Sequence, residues 1–277
     1  MSSARHPRCR RRVLGVSTAC EAWNVRNERE ELWEINAGWW QDGFTDGADV
    51  EYVEQIVPMA SDRLRGAKRV LDIGTGEGQL ARLAATLGAE LVVGVDPTWA
   101  QVEAASQKGG DPRYTRAEAA LLPFPDASFD CVLACLVFEH IADVDAAIAE
   151  VARVLEPGGR FVFFLNHPLL QTPGSGWIDD QIIEEQYWRI GPYLIEADEI
   201  EEVEKNVFIP FVHRPISRYV NAMAANGLLL AELREPAPPP GFLEIAGEYS
   251  EAGTIPRLLL LHAVKGTPSP WAGVDHG

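Results

Sequence analysis

The chain has 277 residues, of which 47% are hydrophobic and 23% charged, and its formal net charge is −17. This composition is typical of a globular protein that buries a core, as one large α/β domain with elaborations or as two small domains. The acidic balance argues against nucleic acid or an anionic membrane as the main partner, since phosphates bind an excess of Lys and Arg. No apolar stretch approaches the ~20 residues of a membrane span.

The N-terminal part differs in charge from the rest of the chain. Five Arg and no acidic residue occur among the first twelve residues, and the apolar run that follows, VLGVSTA, is too short for a signal peptide. We therefore expect residues 1–20 to form a disordered basic tail, and residues 266–277 a second tail. Residues 21–68 are helical in pattern and rich in Trp, which predicts a helical cap before the first strand.

From residue 69 to residue 265 the chain alternates between apolar runs and runs with helical spacing. The predicted strands are RVLDIG, LVVGVD, RYTRAEA, FDCVLACLVF, RFVFFLN, LLLAEL and RLLLLHAV. Between them, apolar residues recur at the spacing of one helix face, as in Leu80, Leu83, Ala84 and Leu87. This alternation predicts an α/β fold with a doubly wound, Rossmann-like sheet and helices on both of its faces.

Two segments interrupt the alternation. Residues 166–212 are long, aromatic and acidic, and residues 234–253 are rich in Pro. Long connections inside a compact domain are usually functional covers, so we predict that residues 166–212 are a lid insert. With the Trp-rich cap it is expected to form the acceptor pocket; a rigid dimer interface is the competing interpretation.

The turn VLDIGTGEGQLA joins a predicted strand to a helix and points to a nucleotide-like ligand. Gly74, Gly76 and Gly78 form G-x-G-x-G, whereas a dinucleotide fingerprint has its third glycine one position later, and the P-loop signature is absent. Asp96 ends the next strand, 18 residues after Gly78, where a carboxylate accepts hydrogen bonds from the hydroxyls of a ribose. The spacing therefore favours a nucleoside over a dinucleotide or a triphosphate.

Further motifs downstream carry a family resemblance. The runs LPFPDASFD and RVLEPGG, with the glycine turn and Asp96, resemble the class I methyltransferases that use S-adenosylmethionine (SAM). The similarity covers residues 69–165. It is strongest to the small-molecule group with the methyltransferase type 11 domain, which includes the ubiquinone and menaquinone biosynthesis methyltransferases.

This resemblance implies a seven-stranded sheet with an antiparallel last strand and SAM as cofactor. The cofactor-binding residues that it implies are Asp72, Gly74, Thr75, Gly76, Gly78, Asp96, Pro97, Glu118, Ala119 and Cys135. Glu118 departs from the family pattern, which usually has Asp before the Ala that lies beside the adenine. Taken singly, each of these acids also has a structural explanation. Asp72 would cap the turn, Asp96 would cap the next helix, and Glu118 would be a solvent-facing loop residue.

Two histidines follow strands at the expected ligand-binding edge of the sheet. His140 follows the fourth strand and His167 the fifth, and either is a candidate general base for removing a proton from a hydroxyl acceptor. Bracing of the loop by His140 and fixing of the turn by His167 are the structural alternatives. The four cysteines show no metal-ligand spacing, so we expect no metal, reduced thiols and a cytoplasmic location.

We therefore predict a SAM-dependent methyltransferase that acts on a small molecule. The sequence leaves open whether the acceptor atom is O, N or C. A homodimer is one possible assembly. A protein methyltransferase and a non-catalytic SAM-binding protein are the alternatives. The acidic balance counts against an RNA substrate, and the intact motif acids count against loss of cofactor binding.

Overall fold

The computed structural model describes residues 18–246 and 251–266, with side chains from residue 31 onward. The strands of these residues are β1 (Arg69–Ile73), β2 (Leu91–Asp96), β3 (Arg113–Arg116), β4 (Phe129–Cys135), β5 (Leu155–Asn166), β6 (Gly176–Asp180), β7 (Glu185–Arg189), β8 (Ala197–Glu204), β9 (Val207–His213), β10 (Leu228–Arg234) and β11 (Leu258–Lys265). The helices are α1 (Thr18–Phe44), α2 (Val57–Leu64), α3 (Gln79–Thr86), α4 (Trp99–Lys108), α5 (Val144–Val154), α6 (Ile216–Ala225) and α7 (Pro240–Ile245). A π-helical turn (Tyr52–Ile56) precedes α2, and 3-10 turns cover Phe138–His140 and Ala252–Thr254.

Seven of the strands form one sheet in the order β10-β11-β5-β4-β1-β2-β3. The pairs from β3 to β5 are parallel, and β11 runs antiparallel to both of its neighbours, β5 and β10. The sheet confirms the predicted fold, including the antiparallel last strand. Of the predicted tails, residues 1–17 and 267–277 lie outside the described residues, and α1 already begins at Thr18.

The sheet is buried on both faces, which explains the continuous apolar runs in its strands. Successive side chains of β5 point to opposite faces. Phe161 and Phe163 pack in the cluster that contains residues of α5 and α6, and Val162 and Phe164 pack in the cluster that contains residues of α2 and α3. All four side chains are fully buried. The carboxyl ends of β1, β2 and β4 therefore lie on a rigid core.

The insert, for which the sequence analysis predicted a lid and named no strands, forms two antiparallel hairpins, β6–β7 and β8–β9. Most side chains of β8 are exposed because this strand carries the acidic run of residues 196–205. Glutamate-rich strands have low intrinsic β-propensity, so pairing with the apolar β9 is what holds β8 in the extended form.

Helix α1 is fastened to the domain by polar side chains. The Glu34 carboxylate accepts hydrogen bonds from the main-chain nitrogens of Trp99 and Ala100, at 2.8 and 2.9 Å, and so caps α4. Asn36 donates from Nδ2 to the main-chain oxygen of Phe208 in β9, at 3.1 Å. Thr98 holds the N-cap position of α4, as its sequence suggests, but its side chain makes no capping bond. No helix in the described part of the chain combines the length and the apolar character that crossing a membrane requires.

Candidate cofactor and acceptor site

A cavity of about 580 Å³ opens beyond the carboxyl ends of β1, β2 and β4. This is the edge at which doubly wound sheets bind ligands. Eight predicted site residues line the cavity: Gly74, Gly76, Asp96, Pro97, Glu118, Ala119, Cys135 and His140. Four do not line it: Asp72, Thr75, Gly78 and His167. Most of the predicted site residues therefore share one cavity, and the other four lie outside its lining.

The glycine turn requires glycine for packing as well as for ligand access. Gly74 has a φ of +66°, and a Cβ there would lie 2.2 Å from Cγ2 of Val137. Gly78 has a φ of +87°, and its Cβ would lie 2.4 Å from the hydroxyl oxygen of Tyr114. Positive φ values cost non-glycine residues energy even in open space. Gly78 therefore serves the packing of the turn, whereas Gly74 also reaches the cavity wall.

Asp72 braces this turn from below. Its Oδ2 accepts a hydrogen bond from Oγ1 of Thr75 at 2.7 Å, and both residues are buried. Burial raises the pKa of Asp72 to about 7, although the bond from Thr75 opposes the shift. The contacts of Asp72 therefore agree with its structural explanation, in which it caps the turn.

Asp96 joins the loop after β1 to the loop after β2. Its Oδ2 accepts from the main-chain nitrogen of Gly76 at 3.0 Å, and its Oδ1 accepts from that of Thr98 at 2.9 Å. Each carboxylate oxygen has a second lone pair, so both can also accept from the hydroxyls of a ribose. Burial raises the pKa of Asp96 to about 6. Asp96 thus caps the following helix and presents acceptors to the cavity at the same time.

The charged side chains around the cavity are acidic. Asp96, Glu118 and Asp143 line it, and within the described residues no Lys or Arg does. Opposite charge lowers the free energy of a bound cation, particularly where protein surrounds it. The cavity therefore favours a cationic or neutral ligand over an anionic one.

The loop after β4 forms another part of the wall, which the sequence did not predict in detail. Leu136 has a φ of +56°, and its main-chain nitrogen donates to the oxygen of Phe164 at 3.0 Å. A left-handed conformation at Leu costs energy and is concentrated at functional sites. Leu136 and Val137 both line the cavity. The predicted strand FDCVLACLVF included both residues, whereas β4 ends at Cys135.

His140 lies in the same loop, and its ring lines the cavity. Its Nδ1 bonds to the main-chain oxygen of Pro210 at 2.8 Å, and a carbonyl oxygen can only accept. In the neutral ring the Nδ1 atom therefore carries the proton, and Nε2 carries the lone pair. The ring also packs against Trp33, with centroids 4.8 Å apart, and against Phe211, with centroids 4.5 Å apart.

The surroundings of His167 differ from those of His140. Its side chain is fully buried, Nδ1 accepts from the main-chain nitrogen of Leu169 at 3.2 Å, and Nε2 donates to Glu235 at 2.8 Å. It does not line the cavity. The geometry thus agrees with the structural alternative, that His167 fixes the turn before Pro168, and it leaves His140 as the candidate base.

The aromatic wall comes from α1. Trp33 and Trp40 line the cavity, and Trp40 stacks on Phe44 with centroids 4.3 Å apart. Trp33 was not singled out in the sequence, although its spacing of seven residues from Trp40 places both on one helix face. The aromatic residues of the insert do not line the cavity: Trp177, Tyr187, Trp188 and Tyr193. The aromatic wall of the cavity thus comes from the cap and not from the insert, which the sequence analysis had expected to contribute.

Neither a metal centre nor a reactive thiol is found in the part of the chain that is described. No group of three or more His, Cys, Asp or Glu there has the geometry to hold a metal ion. Burial raises the pKa of Cys131 to about 12, and it raises the pKa of Cys135 well above the usual range. Both thiols are therefore protonated, and Cys135 offers the cavity its main chain and a small apolar side chain.

The strand order, the glycine turn and the acid after β2 agree with the class I methyltransferase fold, and the cavity beside them is lined by acids. Residues 71–163 match the family described as a methyltransferase domain. This part of the chain is therefore similar to the methyltransferases that the resemblance named.

Known methyltransferases are similar to a larger part of the chain. A demethylmenaquinone methyltransferase from Thermus thermophilus is 39% identical over 122 residues, which are 42% of this chain and 54% of that protein. A 27-O-demethylrifamycin SV methyltransferase from Amycolatopsis mediterranei is 35% identical over 194 residues, 64% of this chain and 66% of that protein. The chain thus spans less than two thirds of the length of these relatives. A SAM-dependent methyltransferase structure from Mesorhizobium loti has a TM-score of 0.66 at 28% identity, covering 75% of this chain and 96% of that one.

The cavity fits the family's cofactor. SAM carries a positive sulfonium, and the lining supplies carboxylates but no cation from the described residues. A ribose diol matches the two oxygens of Asp96, which already accept main-chain bonds from Gly76 and Thr98. The resident side chains therefore suit SAM in charge and in hydrogen-bond acceptors.

Proposed function

We propose that the protein transfers the methyl group of SAM to a hydroxyl group on a small, neutral, flat acceptor. The observation that carries this proposal is one cavity that joins the Asp96 carboxylate to a wall of Trp33, Trp40 and His140. The part of the cavity beside Asp96 suits the cofactor. The aromatic wall suits an apolar ring system, and His140 in that wall is a group that accepts a proton.

In this proposal the cofactor is held along the three strand ends. Asp96 accepts hydrogen bonds from the ribose hydroxyls, Glu118 and Ala119 lie beside the adenine, and Gly74 and Cys135 face the methionine part. Support comes from their common position on the cavity wall and from the matching domain over residues 71–163. Asp72, Thr75 and Gly78 shape the turn behind this surface.

SAM supplies an activated methyl group, so the protein has to align an acceptor atom with it and exclude water. Trp33 and Trp40 cover the cavity from the side of α1 and reduce access of solvent. His140 takes the proton of the acceptor hydroxyl on Nε2, the nitrogen that carries the lone pair while Nδ1 donates to Pro210. The carbonyl of Pro210 thus fixes the tautomer that a general base requires.

The acidic residues that line the cavity are also the reason for proposing a neutral acceptor. A carboxylate or phosphate on the acceptor would be repelled by Asp96, Glu118 and Asp143 without a Lys or Arg among the described lining residues to bind it. The two relatives named above are a demethylmenaquinone methyltransferase and a 27-O-demethylrifamycin SV methyltransferase. Both names describe small-molecule acceptors, and neither favours a protein substrate.

The proposal is tested with three matched probes: naphthol, naphthylamine and naphthoate. Calorimetry first measures binding of SAM, with NAD as the negative control. Methyl-labelled SAM is then incubated with the protein and each probe, and mass spectrometry quantifies the labelled product. We expect methylated naphthol and no methylated naphthoate. A preference for naphthoate would contradict the charge argument, and tight binding of NAD without SAM binding would contradict the whole proposal.

The two alternatives are separated in the same experiment by using cell extract as the acceptor source. Label in a small organic product supports the proposal. Label in protein bands would support a protein methyltransferase instead. Binding of SAM with no labelled product in probes or extract would support a non-catalytic SAM-binding protein.

A further inference from the structure

Arg214 lies buried beneath the loop that carries His140. It follows β9, and its side chain is only 2% exposed. Its guanidinium donates to three main-chain oxygens of that loop: to Phe138 at 3.3 Å, to Ile141 at 2.8 Å and to Ala142 at 2.7 Å. Residues 138–142 thus wrap around the guanidinium, with His140 in the middle.

The contact between Arg214 and the 138–142 loop requires the guanidinium group of an arginine. A buried cation is costly unless it is hydrogen-bonded and paired, and here both terminal nitrogens of the guanidinium donate to carbonyls while Nε makes no hydrogen bond. Glu196 provides the opposite charge, with 3.6 Å between its Oε2 and the Arg214 Nε. A lysine has a single charged nitrogen on a flexible stem and cannot span the same carbonyls. The loop conformation therefore depends on the guanidinium itself.

The strand before Arg214 holds His140 from a second side. The main-chain oxygen of Pro210 accepts from His140 Nδ1, and the ring of Phe211 packs against the imidazole. On the core side, Glu139 is buried, and its Oε1 accepts from Nδ2 of Asn166 at 3.0 Å. The segment from Pro210 to Arg214 therefore contacts both the ring and the main chain of the His140 loop, although the insert lines no part of the cavity.

We propose that Arg214 is a positioning residue, which holds the 138–142 loop so that His140 keeps its Nδ1–Pro210 bond and presents the basic tautomer to the acceptor. The inference rests on the proposed function, in which His140 takes the acceptor proton. Arg214 itself does not line the cavity and has no direct part in the chemistry. Strand β9 and the residue that follows it thereby act on the site from outside the cavity.

The tautomer of His140 can be measured without knowing the acceptor. Protein labelled with ¹⁵N at histidine is studied by NMR in the presence of S-adenosylhomocysteine, and His140 is assigned with a His140→Gln variant. Arg214→Lys keeps the charge and removes the fork, and Arg214→Met removes both. If Arg214→Met does not fold, Arg214→Lys carries the test.

Two control variants separate positioning from general loosening of the fold. Arg218 lies four residues further on, and it pairs with Asp145 and Glu196 without contacting residues 138–142. Met223 is buried in α6, so Met223→Ala lowers the melting temperature through lost packing. Neither Arg218→Lys nor Met223→Ala is expected to change the tautomer of His140.

The expected result is a clear shift in the Arg214 variants alone. The ratio of the Nδ1–H to the Nε2–H tautomer should fall roughly three- to tenfold, the factor that corresponds to one neutral hydrogen bond. An unchanged ratio in a folded Arg214 variant would overturn the proposal, as would an equal shift in Met223→Ala. SAM binding, measured separately by calorimetry, reports on the proposed function, so the two failures are distinguishable.

Discussion

The indole of Trp40 covers Gly76, with its Nε1 atom 3.4 Å from the point that a Cβ on Gly76 would occupy. Lys108 also links the cap to the glycine turn, because its Nζ pairs with Asp46, just after α1, at 2.7 Å and with Glu77, in the turn, at 2.9 Å. The cap and the glycine turn are thus in direct contact. We therefore expect a ligand that binds beside the turn to change the surroundings of α1.

The position of Trp40 predicts a fluorescence signal. Titration with S-adenosylhomocysteine should change the emission of the wild-type protein, because a ligand beside Gly76 contacts the indole that lies over this glycine. Trp40→Phe should lose most of this change. Trp188→Phe is the matched control, since Trp188 packs on Trp177 in the insert and does not line the cavity. Loss of the signal in Trp188→Phe instead would place the ligand against the insert.

Gly74→Ala tests the close approach of the turn to the loop after β4. Gly66→Ala is the control, because Gly66 also has a positive φ, +76°, but nothing lies within 4 Å of its Cβ position. Both variants should lose about 1–2 kcal/mol of stability from backbone strain. Only Gly74→Ala should lose SAM binding as well, measured by calorimetry. Equal SAM affinity in the two variants would show that the contact with Val137 is unimportant.

Asp96→Asn should weaken SAM binding by roughly 2–4 kcal/mol, since a charge-assisted acceptor for the ribose hydroxyls is lost. Asp130→Asn provides a matched control. Asp130 also accepts two main-chain bonds, from Lys68 at 2.8 Å and from Arg69 at 2.9 Å, but at the opposite edge of the sheet. Both variants should therefore be less stable, and only Asp96→Asn should bind SAM more weakly in calorimetry. Unchanged affinity in Asp96→Asn would contradict the assignment.

The buried carboxyls predict a pH dependence. Burial raises the pKa of Asp72 to about 7 and that of Asp96 to about 6, well above the usual range of an aspartate. Between about pH 4 and 7 the folded protein binds more protons than the unfolded chain, so the free energy of unfolding contributed by these groups decreases as the pH rises. A cationic ligand favours the ionised carboxylates. SAM affinity should therefore increase over this range, by less than about tenfold per pH unit for each group.

This pH dependence can be measured by calorimetry in two buffers with different ionisation enthalpies. SAM binding near pH 6.5 (roughly midway between the two shifted values) should release protons. Asp72→Asn should release fewer protons. A dissociation constant that stays the same from about pH 5.5 to 7.5 would show that these carboxyls do not respond to the ligand.

The two histidines should behave differently when replaced by alanine. His140→Ala should lower kcat roughly a hundredfold or more on the probe that the protein methylates, with SAM affinity unchanged. His167→Ala removes the bonds to Glu235 and Leu169, so it should lower the melting temperature and retain kcat. Steady-state kinetics and thermal unfolding of both variants provide the measurement. Full activity of His140→Ala would show that His140 braces its loop and is not the general base.

The fold, and the edge of the sheet at which the cavity lies, could be derived from local patterns. Apolar runs in alternation with helical spacing predicted all seven strands of the main sheet, and the spacing of Gly74, Gly76 and Asp96 predicted the edge that holds the cavity. These features depend on residues that lie close together in the chain, whose backbone preferences and periodicity are legible in the sequence. The hairpins of the insert were missed, because the exposed β8 has the composition of a solvated loop.

The roles of the individual residues were decided by tertiary structure. His140 and His167 both follow a strand at the same edge, and nothing local separates them. His140 meets the carbonyl of Pro210, 70 residues away, and faces a cavity, whereas His167 meets Glu235, 68 residues away, and is fully buried. Arg214 likewise bonds to the loop after β4 only when β9 packs beside that loop. A titratable side chain acts through its burial and its distant partners, and these exist only once the chain has folded.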